Sequence, residues 1–142
     1  MILHGVFPET ESVIVAWLEQ WLPPRWPDKV RVYTELPEGW ADAQRNESER
    51  LPAILVERLP GGAGSGREYE NGYQVQVTVF AASRAVLWAV VQQVEVGMIA
   101  IRGRTSPTLD EVWAAEGFGD VPYANKKIRR AVATYEMTAR AQ

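Results

Sequence analysis

Cysteine is absent from the 142-residue chain, and histidine occurs once, as His4. The lack of cysteine excludes disulfides, thiolate nucleophiles and cysteine metal sites, and it fits a reducing compartment. A single histidine leaves few routes to a metal centre or a nucleophile–base pair, and no serine lies in a GxSxG motif. We therefore predict a protein that is not an enzyme and needs neither a metal nor a cofactor.

A basic excess is also missing, because the formal net charge is −3. Proteins whose main task is to bind nucleic acid usually carry a positive balance, so this charge argues against that class. No long uninterrupted apolar run is present. The longest apolar segment contains Arg84, Gln92, Gln93 and Glu95, which excludes a membrane span there. We expect no signal peptide and no membrane partner.

The segment Gly72–Arg102 changes period in its middle. Tyr73, Val75, Val77 and Val79 alternate with polar residues, which predicts a half-buried strand. Ser83 then stands where a helix would begin, as a candidate N-cap. After it, apolar residues at helical spacing predict one buried stripe, which consists of Leu87, Val90, Val91, Val94, Met98 and Ile101.

The other segments read as elements that cover this unit. A helix is predicted over Glu9–Leu22, ended by Pro23 and Pro24. Strands are predicted over residues 29–33, 51–59, 109–115 and 128–140, and Gly117–Asn125 reads as turn-rich. Trp40 is expected to be an isolated anchor in an exposed connection. The fold class predicted is one α+β domain over 1–142, with a mostly antiparallel sheet of four to five strands and two main helices on one face.

Residues 60–71 are rich in glycine and predict a flexible loop. Gly61 and Gly66 have P-loop spacing, but Arg67 and Glu68 stand where that motif needs Lys and Ser or Thr. A strand follows instead of a helix, so no helix dipole would receive a phosphate. We interpret the segment as the mobile tip of a long hairpin.

Three groups of residues are candidates for contacts with a subunit or partner. The loop contributes both charges and an aromatic ring, the outer face of the long helix is semi-polar around a tryptophan, and one dense basic run precedes the last strand. The basic run suits contact with an acidic partner subunit or with DNA phosphates, and it equally suits a solvated strand edge that charge protects against wrong pairing. The candidates are Arg67, Glu68, Tyr69, Glu70, Trp88, Gln92, Glu95, Lys126, Lys127, Arg129 and Arg130.

Three stretches together resemble a known family: LPAILVERLPGG, VQVTVFAASRAVLWAVV and VPYANKKIRRAVATYEMTAR. In this order, over roughly Leu51 to Arg140, the chain resembles the tail terminator (tail completion) proteins of long-tailed bacteriophages, particularly those that infect actinobacteria. The resemblance implies rings, commonly hexameric, that cap the tail tube, end its elongation and meet the head–tail connector. It implies a homo-oligomer in the virion at the head–tail junction, assembled in the host cytoplasm.

The same resemblance implies the tail tube protein and the head–tail connector protein as partners, with genomic DNA passing through the ring without sequence-specific binding. The family has no shared catalytic residue to carry over. Two alternatives stay open. One is another connector or neck protein of similar fold, and the other is a small α+β ligand-binding domain or enzyme that uses acidic residues.

Overall fold

The structure is a computed structural model that describes residues 10–41, 50–59, 70–105 and 109–140. The elements are α1 (Thr10–Trp21), β1 (Arg31–Tyr33), β2 (Ala53–Arg58), β3 (Glu70–Ala81), α2 (Arg84–Ala100), β4 (Leu109–Asp120) and β5 (Arg129–Arg140). The five strands form one sheet in the order β1-β2-β3-β5-β4. Only β1 and β2 are parallel neighbours. Both helices pack on the same sheet face, so the predicted α+β class is confirmed.

The segment Gly72–Arg102 forms most of a strand, β3, followed by the helix α2, as its change from strand to helical spacing predicts. Ser83 has an extended backbone, with φ −141°, and its Oγ accepts a hydrogen bond from the Val86 N–H at 3.3 Å. This bond satisfies one of the free amides in the first turn of α2 and sets where the helix begins. The predicted stripe of α2 is buried along its whole length: Leu87, Val90, Val91, Val94, Met98 and Ile101.

The helix α1 is held against α2 by two indole rings. Trp17 Nε1 donates to the Gly97 carbonyl at 2.8 Å, and Trp21 Nε1 donates to the Gln93 carbonyl at 3.0 Å. The two rings stack with centroids 5.8 Å apart. A Cβ at position 97 would lie 2.8 Å from Trp21 Cδ1, so the absence of a side chain at Gly97 permits this close approach.

The strand β2 is interior, as its apolar centre predicts. It pairs with β1 on one side and with β3 on the other. The alternation of β5 is also confirmed, since Ala131, Ala133, Tyr135 and Met137 are buried against the helices. β3 and β5 form the longest ladder, with twelve residue pairs from Glu70↔Arg140 to Ala81↔Arg129.

Two predicted boundaries are wrong. The interpretation of Gly117–Asn125 as turn-rich fails at its start, because β4 continues to Asp120. The ladder with β5 carries it through irregularities between Ala114 and Gly119, where β-bulges absorb the residues that do not fit. The loop predicted for 60–71 ends earlier than expected, because Glu70 and Asn71 belong to β3. The remainder of that loop lies outside the described residues.

Trp40 is not an isolated anchor. It is 2% exposed and lies 4.7 Å from the Phe80 ring, with Tyr123 at 6.4 Å. These rings, together with Leu55 and Ile128, form a second apolar cluster on the sheet face opposite the helices. The connection before β2 is thereby fastened to the start of β5.

Candidate interaction surfaces

The basic run borders a hollow beside the connection between β4 and β5. The hollow has a volume of about 440 Å³ and is lined by Lys126, Arg129 and Arg130, by one acidic residue, Asp120, and by apolar residues of the connection. The Asp120 carboxylate pairs with Arg84 at 3.4 Å. Lys127 is exposed but does not line it. Within the described part of the chain, no carboxylate pairs with Lys126 or Arg129. The hollow therefore offers two cations that have no ion-pair partner among the described residues, beside a carboxylate that is bound to Arg84.

Arg130 differs from the other basic residues because it is built into the fold. Its Nη2 donates to the Pro122 carbonyl, and its guanidinium lies 4.9 Å from the centroid of the Tyr123 ring. Tyr123 in turn meets Phe80 edge-on at 5.2 Å. Arg130 thus fixes the wall of the hollow, and substitutions there would perturb the fold as well as the charge.

The connection itself is also rigidly attached. The buried Asn125 donates from Nδ2 to the Ala41 carbonyl at 3.2 Å and accepts from the Lys127 N–H at 3.0 Å. These bonds position the cations of the basic run relative to the second apolar cluster. Lys126 and Arg129 are therefore presented from a fixed backbone.

Of the four loop candidates, the structure describes only Glu70, which lies far from this hollow. Arg67, Glu68 and Tyr69 fall outside the described residues. Glu70 begins β3, whereas the hollow lies at the other end of that strand, where Ala81 pairs with Arg129. At about 3.4 Å per residue, these ends are roughly 37 Å apart. Glu70 and the basic run therefore do not form one patch.

The outer face of α2 is exposed but is not centred on Trp88. That side chain is half-buried and packs against the core, whereas Gln92 and Glu95 are exposed. The apolar residues that protrude are Val96, 54% exposed, and Ile99, 63% exposed. Neither belongs to the predicted set of contact residues, although the spacing 92, 96, 99 places them on one helical face with Gln92.

The two edges of the sheet form the remaining candidate surfaces. β1 is one edge, and a groove of about 690 Å³ lies between it and the end of α1, lined by Leu18, Leu22, Val30 and Val32 among others. β4 is the other edge, and Trp113 protrudes from it with 44% of its surface exposed.

Ligand chemistry is sparse in the part of the chain that the structure describes. It contains no group of three or more His, Cys, Asp or Glu side chains arranged to hold a metal ion. None of its helices combines the length and the apolar character that a membrane crossing requires. Burial, and to a smaller extent the negative charge of Glu95, raises the pKa of Tyr135 to about 12. That phenol packs in the core beneath α2, so its raised pKa affects the stability of the fold at alkaline pH.

Of three comparisons with known proteins, the one with solved structures finds similar chains. No family model matches the chain, and no curated protein matches its sequence. Among solved structures, the chain is similar to a protein in the virion of a native gene transfer agent particle, with 15% sequence identity and a TM-score of 0.53. The match covers 92% of this chain and 86% of the other, so the two proteins share a fold over nearly their whole lengths.

Proposed function

We propose that this protein is a structural component of a virion, of the tail terminator type. It forms a ring that caps the tail tube, ends tube elongation and provides the joint to the head connector. The observation that carries the proposal is the likeness in fold to a virion protein over 92% of the chain. The resemblance of three segments to tail terminators, read from residues alone, supports the same class.

The charge distribution suits such a role. Lys126 and Arg129, which have no ion-pair partner among the described residues, line a hollow that is fixed by the second apolar cluster. A rigid cationic hollow favours an acidic segment of a partner protein, because little side-chain freedom is lost when the two surfaces meet. We assign this hollow to the tail tube or the connector. DNA would pass through the ring without sequence-specific contacts, in keeping with the net charge of −3.

The proposed function is tested by adding the protein to polymerising tail tube protein and measuring tube lengths by electron microscopy. We expect short, uniformly capped tubes with a ring at one end. Tubes of unchanged length would contradict the terminator role. If the ring bound only the connector protein and never the tube, the runner-up, a connector or neck protein of similar fold, would replace it.

The hollow is tested with the double variant Lys126→Glu/Arg129→Glu. We expect it to fold normally, since both side chains are exposed, and to lose capping because an acidic partner would be repelled. Lys127→Glu is the matched control, as it changes the same type of charge on the same connection but outside the hollow. Equal capping by the double variant and the control would show that the hollow is not the contact.

A further inference from the structure

The edge strand β1 has backbone hydrogen-bonding groups that no described strand uses. The Arg31 N–H donates to the Pro52 carbonyl at 3.3 Å, so the backbone of Arg31 faces β2. Backbone groups of successive strand residues point to opposite sides, and the N–H and C=O of Val32 therefore face the open edge. Among the described residues, no strand pairs with that edge.

The opposite edge, β4, is twelve residues long but is regular over only a short stretch. Irregularities lie between Leu109 and Glu111 and between Ala114 and Glu116, which leaves Glu111–Ala114 as an uninterrupted run. Bulges discourage pairing along the rest of the edge. This run of four residues is long enough to pair with all three residues of β1.

One exposed side chain on this run, the Trp113 indole, is held in a fixed orientation. Trp113 is 44% exposed, yet its Nε1 donates to Glu136 Oε2 at 3.0 Å. Glu136 Oε1 also accepts from Gln74 Nε2 at 2.9 Å, so the carboxylate that orients the indole is itself fixed. A large ring held in one orientation loses little entropy when a partner covers it.

Charge distinguishes the two edges. β4 carries four acidic residues and no basic one in its sequence. β1 and its approach carry the two cations Lys29 and Arg31 against one acidic residue, Asp28, and no carboxylate among the described residues pairs with either cation. Contact of β4 with β4, or of β1 with β1, would place like charges together, whereas contact of β1 with β4 is complementary.

We propose that β1 of one subunit pairs with Glu111–Ala114 of β4 in the next, so that a second copy of this chain covers each edge. The joint rests on the ring proposed above. The pairings within the sheet make β1 and β4 run in opposite directions, so subunits related by rotation about a ring axis meet in antiparallel fashion. Each subunit offers one edge of each kind, which is the heterologous contact that a closed ring requires.

The register follows from side-chain direction. Arg31, Tyr33, Glu111 and Trp113 all lie on the sheet face opposite the helices, as their pairings show. Placing Val32 opposite Val112 puts Arg31 opposite Trp113 and Tyr33 opposite Glu111. Arg31 then stacks on the exposed indole and lies diagonally from the Glu111 carboxylate. On the helix side of the joint, the exposed Ala114 lies opposite Val30, beside the groove under α1.

The test uses the absence of cysteine from the chain, which makes introduced thiols unambiguous. In the proposed register, Tyr33 and Glu111 form a non-hydrogen-bonded pair, whose Cα atoms lie about 4.5 Å apart and are close enough for a disulfide. The single variants Tyr33→Cys and Glu111→Cys, and the double variant that carries both, are oxidised after assembly. The control double variant carries Tyr33→Cys and Val96→Cys, the latter on the outer face of α2.

We expect the Tyr33→Cys/Glu111→Cys protein to form a ladder of covalent oligomers on a denaturing gel. The two single variants and the control should remain monomeric there. If light scattering shows rings but the double variant cross-links no more than the control, the edge joint is wrong while the ring stands. A wild-type protein that stays monomeric at high concentration contradicts the ring and the joint together.

Discussion

Gly97 is the position at which a single methyl group should most clearly separate close packing from helix propensity. Gly→Ala inside a helix normally stabilises by about 0.5–1 kcal/mol, because the backbone loses less entropy on folding. At this site the added Cβ would stand 2.8 Å from Trp21 Cδ1 and 2.9 Å from its Nε1. Carbon atoms prefer separations of about 3.5–4.0 Å, so the ring must move by most of an ångström.

Movement of that ring has a calculable cost. Overpacking in a well-filled site costs about 1–3 kcal/mol. Displacing the indole also weakens its 3.0 Å hydrogen bond to the Gln93 carbonyl, a bond worth about 0.5–1.5 kcal/mol. After the helix-propensity gain is subtracted, we expect Gly97→Ala to destabilise the fold by about 1–3 kcal/mol.

Urea unfolding followed by far-ultraviolet circular dichroism would measure this loss as a lower midpoint at an unchanged slope. Gly117→Ala is the matched control, since a Cβ there meets no atom within 4 Å and should leave stability nearly unchanged. A Trp21→Leu background should reduce the cost of Gly97→Ala, because the two sites share the clash. Equal stability of Gly97→Ala and wild type would refute the close-approach argument.

Two further predictions concern stability. The unfolded chain ionises Tyr135 near its ordinary pKa of 10.0, whereas the folded chain holds the proton until about pH 12. Stability is therefore independent of this group below pH 10, and the fold loses about 3 kcal/mol of stability as the pH rises from 10 to 12. Urea titrations at several pH values should show that Tyr135→Phe loses less unfolding free energy between pH 10 and 12 than the wild type does. An equal loss in both proteins would contradict the role of Tyr135. Ser83→Ala removes the cap of α2 and should cost about 1 kcal/mol, a decrease in Tm of about 3–5 °C. The substitution Gln92→Ala, at an exposed position, serves as its control. If Ser83→Ala and Gln92→Ala had the same Tm, the result would count against the cap.

The spacing of apolar residues predicted those helices and strands whose burial depends only on neighbouring residues in the chain. Val75, Val77 and Val79 alternate in a strand that is buried on one face, and the long apolar stripe of α2 follows from helical spacing. Ser83 could be identified as a cap because its side chain acts within its own turn. In each case the deciding interaction lies within a few residues of the pattern.

Structural features that depend on residues far away in the chain could not be predicted from the local sequence. Gly117 and Gly119 read as turn residues, but β5 supplies a ladder that carries β4 past them. Trp40 contacts Phe80, a residue forty positions away in the chain, so its burial could not be read from its own segment. Arg31 and Glu111 lie on the two opposite edge strands of the sheet. This placement likewise follows from the strand order and not from either strand alone.

The basic run shows the same limit at the level of function. Its charges were visible in the sequence as one cluster, but the structure assigns Arg130 to the fold, places Lys126 and Arg129 at a hollow and leaves Lys127 outside it. Strand geometry makes this division, because the side chains of β5 alternate between faces while those of the connection follow the turn. Charge density alone could not separate the positions of these four side chains.

The central claim is that this chain assembles into a ring, and the mass of the purified protein in solution tests it most directly. Light scattering, with electron micrographs of the same sample, should give a closed ring whose mass is an integral multiple of the 15.9 kDa chain, with the hexamer expected. A single species of 15.9 kDa at every protein concentration would contradict the account.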